Sequence, residues 1–273
     1  EMNGAGGEGG GFDGRGAGGA PDPDYGDYPT YEGLELPVHQ GAVAGRIVNA
    51  SGEVLADLPI LCCSLSICLT GATDENGIYL ITHIDADDSY KMQVTDRTNT
   101  YTSLIYYQPV VGGELSVLNT DLVLPQIRSA MAEWTMEAGG TVTLADGGLQ
   151  LTTGPGELEY PLGFDEMIQA DRIAGSELPP YPSTPWGDDA SAVFGFTLNP
   201  IHVHSDAAIG LSITDATVGE TGAQWRIWSL EPDTGILEDV GTATVGADGV
   251  LVSDATANLK HVTTIILAPN PTE

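Results

Sequence analysis

The sequence predicts an all-β protein, with two tandem antiparallel β-sandwich domains preceded by an extended Gly/Pro-rich N-terminal arm. Short stretches of alternating apolar and polar residues recur along most of the chain, as half-buried strands require. Turn-forming residues separate these stretches at short intervals. No regular alternation of strand-like and helix-like segments occurs, which argues against a parallel α/β sheet.

The predicted arm comprises residues 1–40. Its first half contains ten glycines, a composition typical of a flexible coil with a root-mean-square reach of roughly 25 Å. Its second half is rich in Pro, Asp and Tyr and predicts an extended segment. Tyr25, Tyr28 and Tyr31 recur there every three residues, which places their rings along one face of a polyproline-like helix. We interpret them as interface residues that contact either a partner or the chain's own domain.

Residues 41–125 predict the first sandwich, because seven short strand-like stretches follow one another with turn residues between them. These stretches are GAVAGRIV, LPILCCS, SICLTGAT, GIYLITHI, YKMQVTD, TSLIYYQPVV and SVLNTDLVL.

Residues 126–140 are predicted to join the two domains, and RSAMAEWTMEAGG at 128–140 is the one stretch that suggests a helix, a brief one. Residues 141–273 predict the second sandwich, with stretches such as AVFGFTL, QWRIWSLE, GVLVSD and VTTIILAP. Four prolines in SELPPYPSTPWGDD at 176–189 predict an irregular loop between strands. Trp186 in this loop is a further candidate interface residue.

Two stretches of the first module carry a family resemblance. GRIVNASGEVLADLPI is followed by TGATDENGIYLITHI, in which Asn76-Gly77 supports the positive φ of a tight turn and Tyr79 is placed to pack into the core. This pattern resembles the carboxypeptidase-regulatory-like (transthyretin-like) β-sandwich family, which implies a structural or adhesive accessory domain without catalytic residues. The stretch WRIWSLEPDTGILEDVGTATVGADGVLVSD in the second module resembles β-rich domains of bacterial surface proteins more faintly.

The chain is strongly acidic, with 8 Lys and Arg against 39 Asp and Glu and a net charge of −31. Such a surface repels phosphate backbones, so nucleic-acid binding is not expected. Two acidic turns offer the oxygen ligands that calcium prefers, which makes calcium the one cofactor that the sequence suggests. Solvated acidic turns are the alternative interpretation. The candidate ligands are Asp22, Asp24, Asp27, Asp85, Asp87 and Asp88.

All three cysteines lie in LCCSLSIC at 61–68. Cys62 and Cys63 are neighbours on one predicted strand and face opposite sides, so only one of them can meet Cys68. Opposed residues of a hairpin are close enough for a disulfide, which favours Cys63–Cys68 with Cys62 free and buried. Reduced core thiols and a metal or redox site are the alternatives. The disulfide interpretation implies an oxidising compartment.

The sequence does not predict an enzyme, and no catalytic residue is assigned. It contains no nucleophile elbow and no phosphate-binding glycine loop. His202 and His204 would share one face of a strand, either as metal ligands, with His39, His83 or His261 as further ligands, or as a solvent-facing or interface pair. A few acidic residues could be drawn as the paired carboxylates of a glycosidase, a coincidence expected in so acidic a chain. They are Glu157, Glu159, Asp165 and Glu166.

These observations predict a non-catalytic, secreted structural protein. It would be a subunit of a cell-surface or extracellular filament or other self-assembly, with the arm contacting neighbouring subunits. A monomeric, surface-tethered adhesion module for a glycan or protein ligand, and an accessory domain of a secreted enzyme, are the alternatives. No apolar run approaches the roughly 20 residues of a transmembrane helix. A removed export signal would account for a first residue, Glu1, other than Met; a sequence cut from a longer chain is the alternative.

Overall fold

The computed structural model describes residues 34–86, 90–96, 98, 100–179, 181, 185–186 and 192–270. Within these ranges the protein is all-β, as predicted: it consists of strands and two short 3-10 turns, without an α-helix. No helix of the described ranges has the length and apolar character that crossing a membrane demands. We treat residues 34–127 as the first module and residues 128–270 as the second.

Two four-stranded sheets form the first module. One has the order β4-β1-β7, with β8 also paired to β1, and the other has the order β3-β2-β5-β6. Pairing is antiparallel except that β1 runs parallel to both β7 and β8. The strands are β1 (Gln40–Asn49), β2 (Pro59–Cys63), β3 (Cys68–Ala72), β4 (Ile78–Asp85), β5 (Lys91–Val94), β6 (Leu104–Tyr107), β7 (Leu115–Val117) and β8 (Leu122–Leu124).

The core of the first module lies between these sheets, and both contribute to it. It includes Val43, Ile47, Ile60, Tyr79, Met92, Leu104 and Tyr106. The turn at 73–79 that carries the family resemblance is closed by Asp74, whose Oδ1 accepts the N–H groups of Asn76 (2.9 Å) and Ile78 (2.8 Å). Gly77 has φ 73° there, the left-handed conformation that favours glycine.

A buried hydrogen-bond chain joins the two sheets. The Tyr106 hydroxyl on β6 donates to the Tyr79 hydroxyl on β4 at 2.8 Å, and Tyr79 donates to Gln108 Oε1 at 2.8 Å. Gln108 Nε2 in turn donates to the carbonyl oxygens of Ala44 and Ser116, both at 2.9 Å. Buried polar groups are stabilising only while they are paired, so this chain fixes the separation and register of the sheets.

We expect Tyr79→Phe to lower the free energy of unfolding by about 1–3 kcal/mol, because it removes the hydroxyl that both accepts from Tyr106 and donates to Gln108. Chemical denaturation measures this loss. Tyr106→Phe is the matched comparison, since it removes the donor of only one of these two bonds and should destabilise less. An equal loss in both variants would contradict the hydrogen-bond order Tyr106 to Tyr79 to Gln108.

The second module contains a ten-stranded sheet of order β10-β11-β16-β19-β18-β17-β21-β14-β13-β9 and a three-stranded sheet of order β12-β15-β20. The strands are β9 (Ala132–Glu133), β10 (Gly140–Leu144), β11 (Leu149–Thr153), β12 (Leu158–Glu159), β13 (Met167–Ala174), β14 (Phe194–Asn199), β15 (Val203–Ser205), β16 (Gly210–Ile213), β17 (Gln224–Leu230), β18 (Leu237–Val245), β19 (Leu251–Ser253), β20 (His261–Val262) and β21 (Thr264–Pro269). The 3-10 turns span Ala145–Gly147 and Gly175–Glu177.

The ten-stranded sheet curls around the core of the second module, since its two ends, β10 and the β9–β13 pair, lie next to each other. Both sheets contribute side chains to this core. Among them are Trp134, Leu151, Ile168, Phe196, Val203, Trp225, Ile227, Ile265 and Leu267.

The brief helix predicted at 128–140 is wrong. Ala132–Glu133 instead form β9, which pairs antiparallel with Met167 and Ile168 of β13. Trp134 is buried in the second core, and its indole N–H donates to the Gly140 carbonyl at 3.2 Å. Burial of this large ring and pairing with a sheet edge outweigh the modest helix propensity of the stretch. We therefore propose that the second module begins near residue 128 rather than at 141.

Candidate functional site: the junction of the two modules

The two modules share a buried apolar contact, which we call the junction. Ile105 of β6 packs in one cluster with Trp228 and Leu230 of β17 and with Ile266 of β21. The neighbouring residues on β17 and β21 face the second core, so Trp228, Leu230 and Ile266 point away from it. Both faces of β17 and β21 are therefore buried at the junction.

The turn between β17 and β18 completes the junction. Glu231 Oε2 accepts the N–H groups of Asp233 at 3.0 Å and Thr234 at 2.7 Å, which fixes the turn. Gly235 has φ 70°. A Cβ at Gly235 would lie 3.1 Å from the Lys91 Cβ and 3.3 Å from the Tyr106 carbonyl oxygen. The turn is thus pressed against β5 and β6, and glycine is required there both by its conformation and by the close approach.

Lys91 of β5 reaches across the junction. Lys91 is only 6 % exposed. Its Nζ donates to the Pro232 carbonyl oxygen and lies 3.7 Å from Asp233 Oδ1. Burial lowers the pKa of Lys91, while the charges of Asp233 and Glu231 act in the opposite direction. A buried ammonium group is tolerated only with such partners, so Lys91 ties β5 to the turn of the second module.

His202, beside β15, also belongs to this polar group. It is half-buried, and burial, followed by the positive charge of Lys91, holds the pKa of its imidazole below the usual value of 6.5. Asp233 and Glu231 again oppose this shift. The histidine is therefore kept neutral in the folded protein over part of the range in which a free histidine is charged.

The lowered pKa of His202 predicts acid-sensitive stability. Because the unfolded chain binds a proton at His202 more readily than the folded chain, the free energy of unfolding should fall as pH decreases through 6.5 towards the lower, folded-state pKa. We expect His202→Gln to flatten this dependence in denaturation curves recorded between pH 7.5 and 5. His39→Gln, at an exposed histidine of the first module, should leave it unchanged; identical pH profiles for all three proteins would contradict the assignment.

Two described residues of the segment between β13 and β14 belong to the junction. Tyr181 is buried in the same cluster as Ile105, and Trp186 packs against it. The rings of Trp186 and Trp228 lie edge to face with centroids 5.6 Å apart. No strand occurs in the described residues of the proline-rich loop at 176–189. Trp186, a candidate for contact with a partner, thus makes a contact within the chain.

The connection between the modules is hydrogen-bonded to both of them. The backbone N–H groups of Arg128 and Ser129 donate to Asp171 Oδ1 at 2.8 Å and 2.9 Å. Asp171 itself is a buried residue of β13. On the other side, the Ile127 N–H donates to the Thr100 carbonyl oxygen of the first module at 2.9 Å. The connection is therefore fixed to both modules, unlike a flexible linker, whose backbone groups are solvated.

The cysteine hairpin lies at the end of the first module that meets the junction, because Cys63 is opposed to Lys91. Cys63 and Cys68 are directly opposed on β2 and β3 and form a disulfide with an S–S distance of 2.08 Å. Cys62 is a buried free thiol, and burial raises its pKa to about 12. On its other side Cys63 is opposed to Lys91 of β5. The disulfide therefore fixes the strand end next to the lysine of the junction.

We expect Cys68→Ser to lower the free energy of unfolding by about 2 kcal/mol, because so short a disulfide loop restricts the unfolded chain only modestly. Chemical denaturation measures the loss. Intact-mass analysis after alkylation in denaturant should find one reactive thiol in the untreated protein and three after reduction. Three reactive thiols without reduction would show that the disulfide does not form.

Most candidate calcium ligands, Asp22, Asp24, Asp27, Asp87 and Asp88, lie outside the described residues, as do Tyr25, Tyr28 and Tyr31. Asp85 is exposed at the end of β4. Within the described ranges no three His, Cys, Asp or Glu side chains are grouped so that they could hold a metal ion. Calcium binding by these turns stays a prediction.

The candidate histidines and paired carboxylates are distributed among separate contacts. His204 Nε2 lies 3.1 Å from Glu159 Oε2 on the neighbouring strand, and the His261 ring centre is 6.3 Å from that of His204. Glu157 and Glu166 each accept a backbone N–H, from Gly154 at 2.6 Å and from Met136 at 2.8 Å. The remaining candidates, Asp165, His39 and His83, are exposed. Glu157, Glu159 and Glu166 thus contact backbone groups or His204 rather than each other.

The described residues thus define an all-β protein of two modules joined through a buried, hydrogen-bonded junction. No protein-family description matches the chain, and no curated protein matches it.

Several solved structures match the chain at low identity and low TM-score. The full-length major pilin SpaD from Corynebacterium diphtheriae is 11% identical, with 85% of this chain and 87% of that chain covered and a TM-score of 0.26. A candidate carbohydrate-binding protein from Bacteroides uniformis is 9% identical, with coverages of 85% and 79% and a TM-score of 0.26. A DUF3823 family protein from Parabacteroides merdae is 9% identical, with coverages of 86% and 98% and a TM-score of 0.24.

Proposed function

We propose that the protein is a non-catalytic, exported structural subunit of a cell-surface or extracellular assembly. The observation that carries this proposal is the junction, in which Ile105, Lys91 and the turn at 231–235 hold the two modules together. Interfaces between domains are often small and polar and allow relative motion. A buried contact reinforced by the anchored linker instead favours a rigid two-module unit, which suits a subunit that must keep a fixed spacing within an assembly.

The Cys63–Cys68 disulfide supports the location, because such bonds persist in oxidising compartments such as the cell exterior. The net charge of −31 bears on the assembly itself. Identical acidic subunits repel each other, and salt at physiological ionic strength screens this repulsion between charges more than roughly 8–10 Å apart. Divalent cations, which prefer carboxylate oxygens, would oppose the repulsion further. Assembly should therefore be tighter at higher salt or with calcium.

The N-terminal arm supplies the proposed contact between subunits. Its glycine-rich part, residues 1–20, is long enough for a reach of roughly 25 Å and would pair with, or pack on, a neighbouring subunit, as extended segments commonly do at sheet edges. Sheet edges are present in both modules, for example at β3 and β12.

Electron microscopy and sedimentation of the full chain, at high and low salt and calcium, test this function. Ordered fibres or particles that grow with salt or calcium and are lost on deletion of residues 1–20 are the expected result. The deletion should leave the unfolding transition unchanged. Monodisperse single chains under every condition would overturn the proposal.

An exposed loop favours a second candidate function, a surface-tethered binding module. Leu162 and Phe164, between β12 and β13, are exposed large apolar side chains, a feature that often marks a contact surface. A glycan or a protein would be the ligand. Glycan-array or protein binding that is lost in a Leu162→Ser/Phe164→Ser variant, by a chain that stays monomeric, would favour this function over assembly.

A further inference from the structure

Strand β3 forms an open edge of the first module. In the described ranges this five-residue strand, Cys68–Ala72, pairs only with β2. A Cβ at Gly71 would lie 3.0 Å from the Ile81 side chain, and Leu69 packs on the first core. Strand β4 therefore lies beneath the inner face of β3 rather than beside it. Within the described part of the chain, the edge of β3 that faces away from β2 is uncovered.

Alternate residues of β3 direct their backbone groups to this edge. The Ser64 N–H donates to the Ile67 carbonyl oxygen at 2.8 Å, so these two residues form a bonded pair at the end of the hairpin. Bonded and non-bonded pairs alternate along an antiparallel ladder, which makes Cys63 and Cys68 a non-bonded pair. The residues whose N–H and C=O groups point away from β2 are all exposed, namely Cys68, Thr70 and Ala72. No backbone partner for these groups occurs within the described residues.

The other edge strands are shielded in the ways that proteins commonly use. Charge, shortness, a bulge or a covering element prevents an edge from pairing with another chain. Strands β7, β8, β12 and β20 have only two or three residues, and β4 carries an extra residue opposite Ala42. Strand β6 supplies Ile105 to the junction, and β10 lies next to β9. By contrast, β3 has five residues, and none of them is charged or a proline.

The surroundings of this edge are uncharged as well. Residues 58–73, which include β2, the hairpin tip and β3, contain no Asp, Glu, Lys or Arg. At the tip, Leu65 is 86 % exposed and Ile67 is 52 % exposed. Copies of a chain with a net charge of −31 repel each other, so they approach at the lowest cost where neither surface is charged. The partner that such an edge accepts is an uncharged extended strand, and a second copy of the chain supplies one.

We propose that β3 pairs antiparallel with β3 of a second copy, about a two-fold axis at Thr70. In this register Thr70 is opposed to Thr70 of the second copy, and Cys68 is opposed to Ala72 of the second copy. The outward N–H and C=O groups of all three residues are then paired. The contact is the same on both chains, as a closed two-fold dimer requires. The sheet β3-β2-β5-β6 thereby continues from one copy into the other.

The disulfide prepares this edge for pairing. Cys63–Cys68 ties the start of β3 to β2, so the strand is already held extended in the single chain. A strand that is ordered beforehand loses less conformational freedom on binding. The contact uses neither the N-terminal arm nor the junction, so this inference does not rest on the proposed function. The edge at β12 remains for the arm.

Sedimentation velocity of the full chain over a range of concentrations, at high salt, tests the proposal. We expect Thr70→Pro to raise the dimer dissociation constant at least about tenfold, because it removes the outward N–H and places a ring on the edge. Thr70 is a non-bonded residue on the side of β2, so the unfolding transition should stay close to that of the natural chain. Thr70→Glu opposes two carboxylates at the axis and should weaken the dimer similarly. Thr143→Glu, at an exposed threonine of β10, is the matched control and should leave the dimer unchanged.

Thr70→Cys tests the register directly. Residues of a bonded antiparallel pair have their Cα atoms about 5.5 Å apart, which is within the range of a disulfide. Mild oxidation should therefore link two copies at this position, and non-reducing electrophoresis should show a covalent dimer. Thr143→Cys should remain a single chain under the same conditions.

Single chains of the natural protein at every concentration would overturn the proposal and leave the edge to another partner. Equal dissociation constants for the natural chain and both Thr70 variants would also overturn it. So would loss of the dimer on deletion of residues 1–20, because the arm would then make the contact. Dimers without fibres would support this contact and contradict the proposed assembly. Fibres that form equally well in Thr70→Pro, without a covalent dimer of Thr70→Cys, would contradict this contact and leave the assembly in place.

Discussion

Replacement of Gly235 by alanine is expected to lower the free energy of unfolding by about 2–5 kcal/mol and to loosen the junction. A left-handed conformation with φ 70° costs a residue with a Cβ about 1–2 kcal/mol. The new methyl group would also meet the Lys91 Cβ at 3.1 Å and the Tyr106 carbonyl oxygen at 3.3 Å. Overpacking of this kind typically adds about 1–3 kcal/mol.

Chemical denaturation followed by tryptophan fluorescence measures this effect. Trp228 lies in the junction, whereas Trp134 and Trp225 lie in the second core, so loosening of the junction should appear as an early transition before the main one. Gly249→Ala is the matched control, because Gly249 has φ 77° but no atom within 4 Å of its hypothetical Cβ. A loss no larger than that of Gly249→Ala would mean that the turn does not press on the first module.

Asp171→Ala is expected to destabilise the protein by about 2–5 kcal/mol and to free the connection between the modules. The carboxylate oxygen Oδ1 is the acceptor for the N–H groups of both Arg128 and Ser129. A hydrogen bond to a charged acceptor contributes about 1.5–3 kcal/mol. Two are lost here, and water replaces part of this at the exposed Arg128 and the half-buried Ser129. With the connection released, the modules would be held by the remaining contacts of the junction.

Small-angle scattering and denaturation of Asp171→Ala distinguish a local from a general defect. Asp171→Asn retains a side-chain oxygen that can accept the same bonds and should be milder, while Asp206→Ala, at an exposed aspartate of the second module, should have little effect. A more extended solution shape for Asp171→Ala is the expected sign of a freed connection. Equal stability of the alanine and asparagine variants would show that the two hydrogen bonds contribute little.

Local patterns in the sequence predicted the features that depend on neighbouring residues. Alternation predicted the all-β class, the turn around Gly77 was readable from Asn76-Gly77, and the hairpin spacing favoured the Cys63–Cys68 pair. In each case the interacting residues are close in the chain, so their geometry follows from strand and turn rules.

The junction could not be predicted because it joins distant residues. Ile105 and Trp228 are brought together only by the complete fold. A signal was present, since residues 265–268 of TIILAP and the Ile227-Trp228 pair of WRIWSL are apolar at successive positions, as strands buried on both faces are. It indicates a covering partner without saying which one. The helix expected at 128–140 failed for the same reason: pairing of β9 with β13 is a long-range interaction that outweighs local propensity.

The position of Cys62 determines how the oxidised protein behaves once it has folded. Its thiol belongs to the first core, while the adjacent Cys63 is bonded to Cys68, so the pleat of β2 separates the thiol from the disulfide. Interchange requires a thiolate that reaches a disulfide sulfur, and a pKa of about 12 keeps the Cys62 thiol protonated. Scrambling is thereby confined to the unfolded chain, and the native pairing is preserved afterwards without any need to eliminate the third cysteine.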